Sequence, residues 1–319
     1  MFSLLKLYRF WSLFRRGVFA FVGLTLLLAP AANVLGKDDA PEPLTVIHSI
    51  SGWSPAMKAF QMDLMRTLLR LSSEEEGDYN AVFDDRNMTT SRSMLATRRG
   101  EIHTGLTTGW GALRNSKEHV TLYRYPYLKS LLGLRRFIIR AEDRERFESI
   151  RSVKGLKGFR AGQGAGWPDT RVYREAGIEV VEAENYPSLF PMLAKGRFDF
   201  LPLSVLEVEG ALAAFEKDYP SLIIAENMYV FYPIPLYISV SNTKPKVSER
   251  LKAGLDVLFD PDSPFELDNL MLRHFPLEGE IEIDGRATLI TMNNPYAEAE
   301  INLTMLRYFS EHYRVTLSR

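Results

Sequence analysis

The 319-residue sequence contains no cysteine. Disulfides, thiolate nucleophiles and cysteine metal sites are thereby excluded, no lipid-attachment cysteine follows the amino-terminal segment, and the composition suits an oxidising compartment where stray thiols are a liability. A basic excess is missing as well. The 39 lysines and arginines include Lys6, Arg9, Arg15 and Arg16; without those four, 35 basic residues face 40 acidic ones, leaving a mildly acidic chain with no stripe for nucleic acid. The histidines, His48, His103, His119, His274 and His312, show no i, i+4 pairing, so no metal site is expected. No G-x-S-x-G elbow occurs, and no internal repeat of fixed period is visible. Beyond residue 36 no apolar run is long enough to span a bilayer. Neighbouring carboxylates such as Asp84-Asp85 and Glu207/Glu209 do occur, but adjacency in sequence does not place them on one substrate bond, and they read as solvated groups.

What is present begins with a leader. Residues 1–36 carry the four cations and no acid, then an uncharged apolar run from Gly17, then small residues near Ala31 and Gly36. This is the pattern of a cleavable secretory signal, and periplasmic export follows from it. An uncleaved anchor and a twin-arginine signal built on Arg15-Arg16 are the competing readings.

After the polar linker "KDDAPEP" the chain alternates. "LTVIHSI" (44–50) reads as a strand, 55–71 as an amphipathic helix, "YNAVFDD" as a strand, "TTSRSMLATRRG" as a helix, and "EIHTGL" as a third strand. An aromatic loop and a β-like run ending at 134–140 follow. A second α/β series then runs through "IEVVEAE", "SLFPMLAKGRF", "DFLPLS", a helix over 205–218 and the run "YVFYPIPLYISVS". Such alternation predicts a mainly parallel sheet with helices on its faces. The helical last third has nowhere to pack except back on the first lobe.

One loop stands out. "GQGAGWPDT" (162–170) lies between a strand and a short helix. Its glycines permit positive φ and close approach, and the first N–H groups of the next helix are free to bind an anion. Pro168 fits an early helical position, and Asp169 or Thr170 fits a cap. "GQGAG" begins like a dinucleotide fingerprint, with Glu182 about 20 residues on at a strand end. Trp167, however, stands where the third glycine belongs and is too large for close helix packing. A plain connecting turn and a ligand loop remain; an exposed tryptophan is unfavourable unless a ligand or the opposite lobe covers it.

The segment "VKGLKGFRAGQGAGWPDTRVYREAGIEVVEAENYPSLFPMLAKGRFDFLPLS", together with "LTVIHSISGWSPAM", "RRGEIHTGL" and "LYRYPYLKSLLGLRRFIIR", resembles the extracellular solute-binding proteins of the amino-acid-binding type, family 3. The resemblance covers nearly all of the chain after residue 36, while "GQGAGWPDT" and the late "MNNPYAEAE" are its own. It implies an α/β, two-lobed periplasmic-binding-protein-like (type 2) fold with mixed, mainly parallel sheets and a two-strand hinge. Lobe 1 would comprise 37–137 plus 238–319, and lobe 2 138–237. It further implies a monomer that closes over a small molecule and presents the closed form to an ABC-transporter permease or a membrane sensor, without cofactor, metal or catalysis. The alternative is a dehydratase-like enzyme on the same fold, with a cleft carboxylate as general acid.

The family's carboxylate-binding arginine has Arg114 and Lys117 as its nearest counterparts, off the expected spacing. Its ammonium-binding aspartate is replaced by Ser204, which makes an ordinary α-amino acid a less favoured ligand. The strand-end loops instead supply Ser51, Gly52 and Trp53, then Thr108, Gly109 and Trp110, then Gln163, Trp167, Asp169 and Thr170. Aromatic walls with a few polar groups suit a flat or cationic small molecule. The expected ligand residues are therefore Ser51, Trp53, Thr108, Trp110, Arg114, Gln163, Trp167, Asp169, Thr170 and Ser204.

Overall fold

Ser54 and Pro55 start the first helix by two local rules at once. The Ser54 hydroxyl accepts the Met57 N–H, and proline occupies the first turn, where its missing N–H costs nothing. The helix α1 (Pro55–Leu71) follows the strand β1 (Leu44–Ser49) and buries Met57, Phe60, Leu64, Met65, Leu68 and Leu69, spaced to share one face. In this computed structural model the described residues are 42–73, 77–86, 88–108, 118–125, 127–263, 267–275, 282–283, 287–297 and 314–315. All of them belong to the unit Glu42–Arg319. The expected leader at 1–36, and with it Gly109, Trp110, Arg114 and Lys117, lies outside the described residues.

Chain order continues with β2 (Tyr79–Asp84), α2 (Thr90–Arg99), β3 (Thr104–Thr107), β4 (Val120–Tyr123), β5 (Leu134–Arg140), α3 (Arg144–Glu148), α4 (Val153–Leu156) and β6 (Arg160–Gly164). Then come α5 (Asp169–Glu175), β7 (Glu179–Ala183), α6 (Leu189–Ala194), β8 (Phe200–Ser204), α7 (Val208–Phe215), β9 (Leu222–Ile224), β10 (Met228–Phe231) and β11 (Tyr237–Ser241). The last third holds α8 (Pro245–Leu258), α9 (Leu267–His274), β12 (Glu282–Ile283), β13 (Thr288–Thr291) and β14 (Arg314–Val315).

Two mixed sheets organise these elements. The first runs β2-β1-β3-β11-β4; β1 is parallel to β2 and β3, and β11 is antiparallel to both β3 and β4. The second runs β13-β10-β5-β8-β6-β7 with β9 also on β5; β6 is parallel to β7 and β8, and β5 is antiparallel to β8. The run "YVFYPIPLYISVS" divides between the two sheets. Pro233 and Pro235 have no N–H to give a ladder, so pairing stops at Phe231 and resumes at Tyr237 in the other sheet.

Of the last third, α8 does return to α1. Gly254 of α8 sits against the Leu68 carbonyl, which an added Cβ would approach to 2.2 Å, so the two helices meet at backbone distance. Arg250, fully buried, donates to Ser72 Oγ at 3.1 Å, to the Leu69 carbonyl at 3.1 Å, to the Asp78 carbonyl at 3.2 Å and to the Gly77 carbonyl at 2.5 Å. One guanidinium thus satisfies the carbonyls at the end of α1 and in the turn into β2. Residues 288–291, grouped above with lobe 1, instead form β13, which pairs in parallel with β10 of the second sheet. The β5 strand, 134–140, likewise lies wholly in the second sheet, so 134–137, grouped above with lobe 1, stay with 138–140. Among the described residues no helix is long and apolar enough to cross a membrane.

Candidate functional site

Four loops, each leaving the carboxyl end of a strand, converge on one cavity of about 280 Å³. From the first sheet come 51–54 after β1 and 107–108 at the end of β3; from the second come 166–171 after β6 and Glu207 after β8. Strand ends are where an open α/β sheet leaves a crevice, because the helices that cover its faces do not cover its rim. The start of α2 closes the gap from the first-sheet side. Gly166, at φ +79°, lies so near Thr90 and Ser91 that an added Cβ would touch Thr90 at 3.6 Å.

The glycine-rich loop is shaped by its tryptophan. An added Cβ at Gly164 would stand 2.5 Å from Cε2 and Nε1 of Trp167, so only glycine lets the indole fold back over the strand end. The ring also lies 6.3 Å from that of Tyr186. The anticipated anion cradle is not met. Gly166 N–H donates to Glu182 Oε2 at 3.3 Å, Trp167 N–H to the Gly164 carbonyl at 3.0 Å, and Thr170 N–H to the Trp167 carbonyl at 3.2 Å. Glu182, the position weighed as a ribose partner, receives Gly166 and the Arg174 guanidinium at 2.8 Å instead.

Three buried charges line the cavity. Asp169 opens α5 but does not cap it; its Oδ2 meets Arg135 Nη2 at 2.8 Å, with both side chains buried. Arg135 stands on β5 opposite Ser204 of β8. Its guanidinium carbon lies 5.5 Å from the centre of the Tyr232 ring, which meets Tyr173 edge-on at 5.7 Å. Burial alone would lower the Arg135 pKa, yet Asp169, Tyr232, Glu207 and Tyr173 more than reverse this and hold it above its ordinary value. Glu207, 6% exposed, accepts a hydrogen bond from the Ser54 hydroxyl of the opposite lobe. Burial pushes its carboxyl above the usual range; Ser54 and Arg135 pull it back, and Asp169 adds to the rise.

Of the expected ligand residues, Ser51, Trp53, Thr108, Trp167, Asp169 and Thr170 line this cavity. Ser51 also ties its own loop, accepting the Met88 N–H at 3.1 Å. Gln163 and Ser204 do not line it. Gln163 is buried within β6, and the Ser204 hydroxyl is spent on the Leu131 carbonyl at 2.9 Å and the Leu206 N–H at 3.2 Å. Trp110 and Arg114 lie outside the described residues.

Sequence reasoning missed Ser54, Arg135 and Glu207. The 205–218 helix was started too early: α7 begins at Val208, leaving Glu207 in the preceding loop, buried rather than solvated. Glu209 is the solvated member of that pair, bound to Arg136 at 2.6 Å. For Arg135 a signal existed. Two adjacent arginines entering an apolar strand face opposite sides, so one of them must point inward.

A two-lobed α/β chain with mixed sheets and a rim cavity of this kind has the type 2 periplasmic-binding-protein fold. Solved structures share it. One is a periplasmic binding protein of Salmonella typhimurium with high arginine specificity, at a TM-score of 0.52 and 17% identity over 73% of this chain and 99% of that one. Another is the GluR0 ligand-binding core in complex with L-glutamate, at 0.50 and 14% over 73% and 98%. A third is an ancestral amino-acid-binding protein, a precursor of cyclohexadienyl dehydratase, at 0.50 and 15% over 72% and 95%. At these identities the likeness defines the fold. Comparison with protein-family models and with curated proteins finds no match.

Proposed function

We propose that this protein is an exported solute-binding protein that closes its two lobes over a small molecule and delivers it to a membrane transporter. The observation that carries this reading is the cavity itself: it is walled from both sheets by aromatic rings and polar groups, and its loops meet at Gly166 against α2 and at Ser54 against Glu207. Its volume, about 280 Å³, suits a metabolite rather than a peptide. Proteins of the same fold bind arginine and glutamate, molecules of matching size. The basic and apolar leader at 1–36 supports export to the periplasm.

A binder of this kind gives saturable quenching of Trp53 and Trp167 fluorescence and a raised Tm, and returns its ligand unchanged. Small-angle scattering should show compaction on adding the ligand. A compound recovered in converted form would replace this reading with an enzymatic one.

A further inference from the structure

Resting on the solute-binding reading, we propose that Asn294 is a positioning residue for lobe closure: the strap of residues 288–297 that carries it follows the hinge out of the second sheet, holds the peptide after Pro233, and ties the hinge to the helix behind the glycine-rich loop. The strap includes the start of the late "MNNPYAEAE", a segment that is this chain's own. It belongs to a third connection between the lobes, which accompanies the links from β4 to β5 and from β10 to β11. The helix α9 is fastened to α1 of the first lobe, where Arg273 and His274 meet Asp63 at 3.0 and 2.8 Å. The next strand to reach a main sheet, β13, pairs with β10 of the second.

The strap runs beside the hinge strand and then beyond it. Thr288 N–H donates to the Asn227 carbonyl at 2.7 Å, and Met292 N–H to the Phe231 carbonyl at 2.9 Å, where β10 ends. Past the sheet Asn294, fully buried, takes over. Its Nδ2 donates to the Pro233 carbonyl at 2.7 Å, and its Oδ1 accepts the Tyr296 N–H at 3.1 Å. Only an amide offers a donor and an acceptor on one short side chain. Proline rings already fix φ at 233 and 235, so a held peptide after Pro233 leaves the turning of this link to residues 234–236. Any rotation at Pro233 itself would leave a buried carbonyl unpaired, which is unfavourable.

The same strap reaches the ligand cleft through α5. Tyr296 donates its hydroxyl to Glu175 Oε1 at 2.8 Å, and its ring lies 5.6 Å from the guanidinium of Arg171, a residue of the cavity lining. The helix α5 is therefore fastened to every strand at the crossing. Asp169 meets Arg135 of β5, Tyr173 packs against Tyr232 after β10, and Glu175 holds Tyr296 after β13. The helix that follows the glycine-rich loop thus moves as one body with the hinge, and Asn294 is the residue that joins the strap to the hinge link.

The chain has no cysteine, so Asn80→Cys in the first lobe and Lys217→Cys in the second, both at exposed positions, give unique sites for spin labels. Double electron–electron resonance on the full chain then reads the distribution of inter-lobe distances, with thermal unfolding followed on the same samples. Asn294→Asp keeps the size of the side chain and the acceptor for Tyr296 but sets an oxygen against the Pro233 carbonyl. The expected result is a broader distribution whose mean moves by about 2 Å or more, the scale of a hinge rearrangement. Tyr296→Phe, which keeps the ring beside Arg171 and loses only the bond to Glu175, should act in the same direction by less, and is read alone if Asn294→Asp does not fold. A residue that merely stabilises its lobe would lower Tm and leave the distances unmoved. That result, or an unchanged distribution in both variants, overturns the inference and leaves solute binding intact. Absence of saturable tryptophan quenching of the parent by any solute overturns the solute-binding reading, which the distance distributions do not test.

Discussion

Ser54 and Glu207, 153 residues apart, share a hydrogen bond across the cleft: the hydroxyl that caps α1 in the first lobe donates to a carboxylate at the end of β8 in the second. One serine therefore serves both helix initiation and the contact between lobes. The bond has a charged acceptor whenever Glu207 is ionised, which makes it stronger than a neutral pair.

Replacing Ser54 by alanine should cost about 1 kcal/mol of stability through the lost cap. It should also weaken ligand binding several-fold, because the closed state loses an inter-lobe bond. A double-mutant cycle with Glu207→Gln, read by titration, should be non-additive. Additive losses would mean that the two residues do not act together.

Asp169→Ala leaves the Arg135 guanidinium buried and unpaired. Breaking one side of a buried pair costs about 3–5 kcal/mol, so denaturant unfolding should show a large fall in midpoint. A loss under about 1 kcal/mol, the range of an exposed pair, would indicate that water reaches Arg135.

The Gly164–Trp167 packing makes two variants equivalent. Trp167→Ala removes the indole, and Gly164→Ala drives a methyl into its place, 2.5 Å from the ring. Both should weaken ligand binding about tenfold, some 1.4 kcal/mol. Gly164→Ala should also shift tryptophan emission. Unaltered affinity in both would remove Trp167 from the site.

His48 should make stability pH-dependent. Burial pushes its imidazole down to about 4, against the opposing effect of the hydrogen bond that His48 Nε2 makes to Gln61 Oε1. Unfolded, the group returns to about 6.5, so between these values the unfolded chain binds more protons. Stability is fully present above that window and falls as pH drops through it, by about 3 kcal/mol in all. His48→Gln should flatten the Tm profile between pH 4.5 and 6.5; an unchanged slope would assign the dependence to other groups.

Much of the fold was legible because its cues are local. The Ser54-Pro55 start and the apolar spacing set α1 over Pro55–Leu71, as read from the sequence, and alternating apolar runs marked β1 and β2. The cleft loops were legible for a related reason, since strand ends could be located; Trp53 and Trp167 line the cavity there while packing against the core from its rim. Arg135 and Glu207 escaped because their setting is not local. Glu207 lies beside a carboxylate that is solvated, and nothing within a few residues distinguishes the two. The fate of Ser204 was equally hidden, its hydroxyl being taken by a carbonyl 73 residues away.

The sequence by itself determined the alternation of strands and helices and the loops that meet at the cleft, because each depends on residues close in the chain. The tertiary structure alone decided which charges are buried, that Asp169 answers Arg135, and that Glu207 faces Ser54. Charge placement depends on which distant segments exclude water from one another, and that exclusion exists only once the sheets have formed and their rims have met.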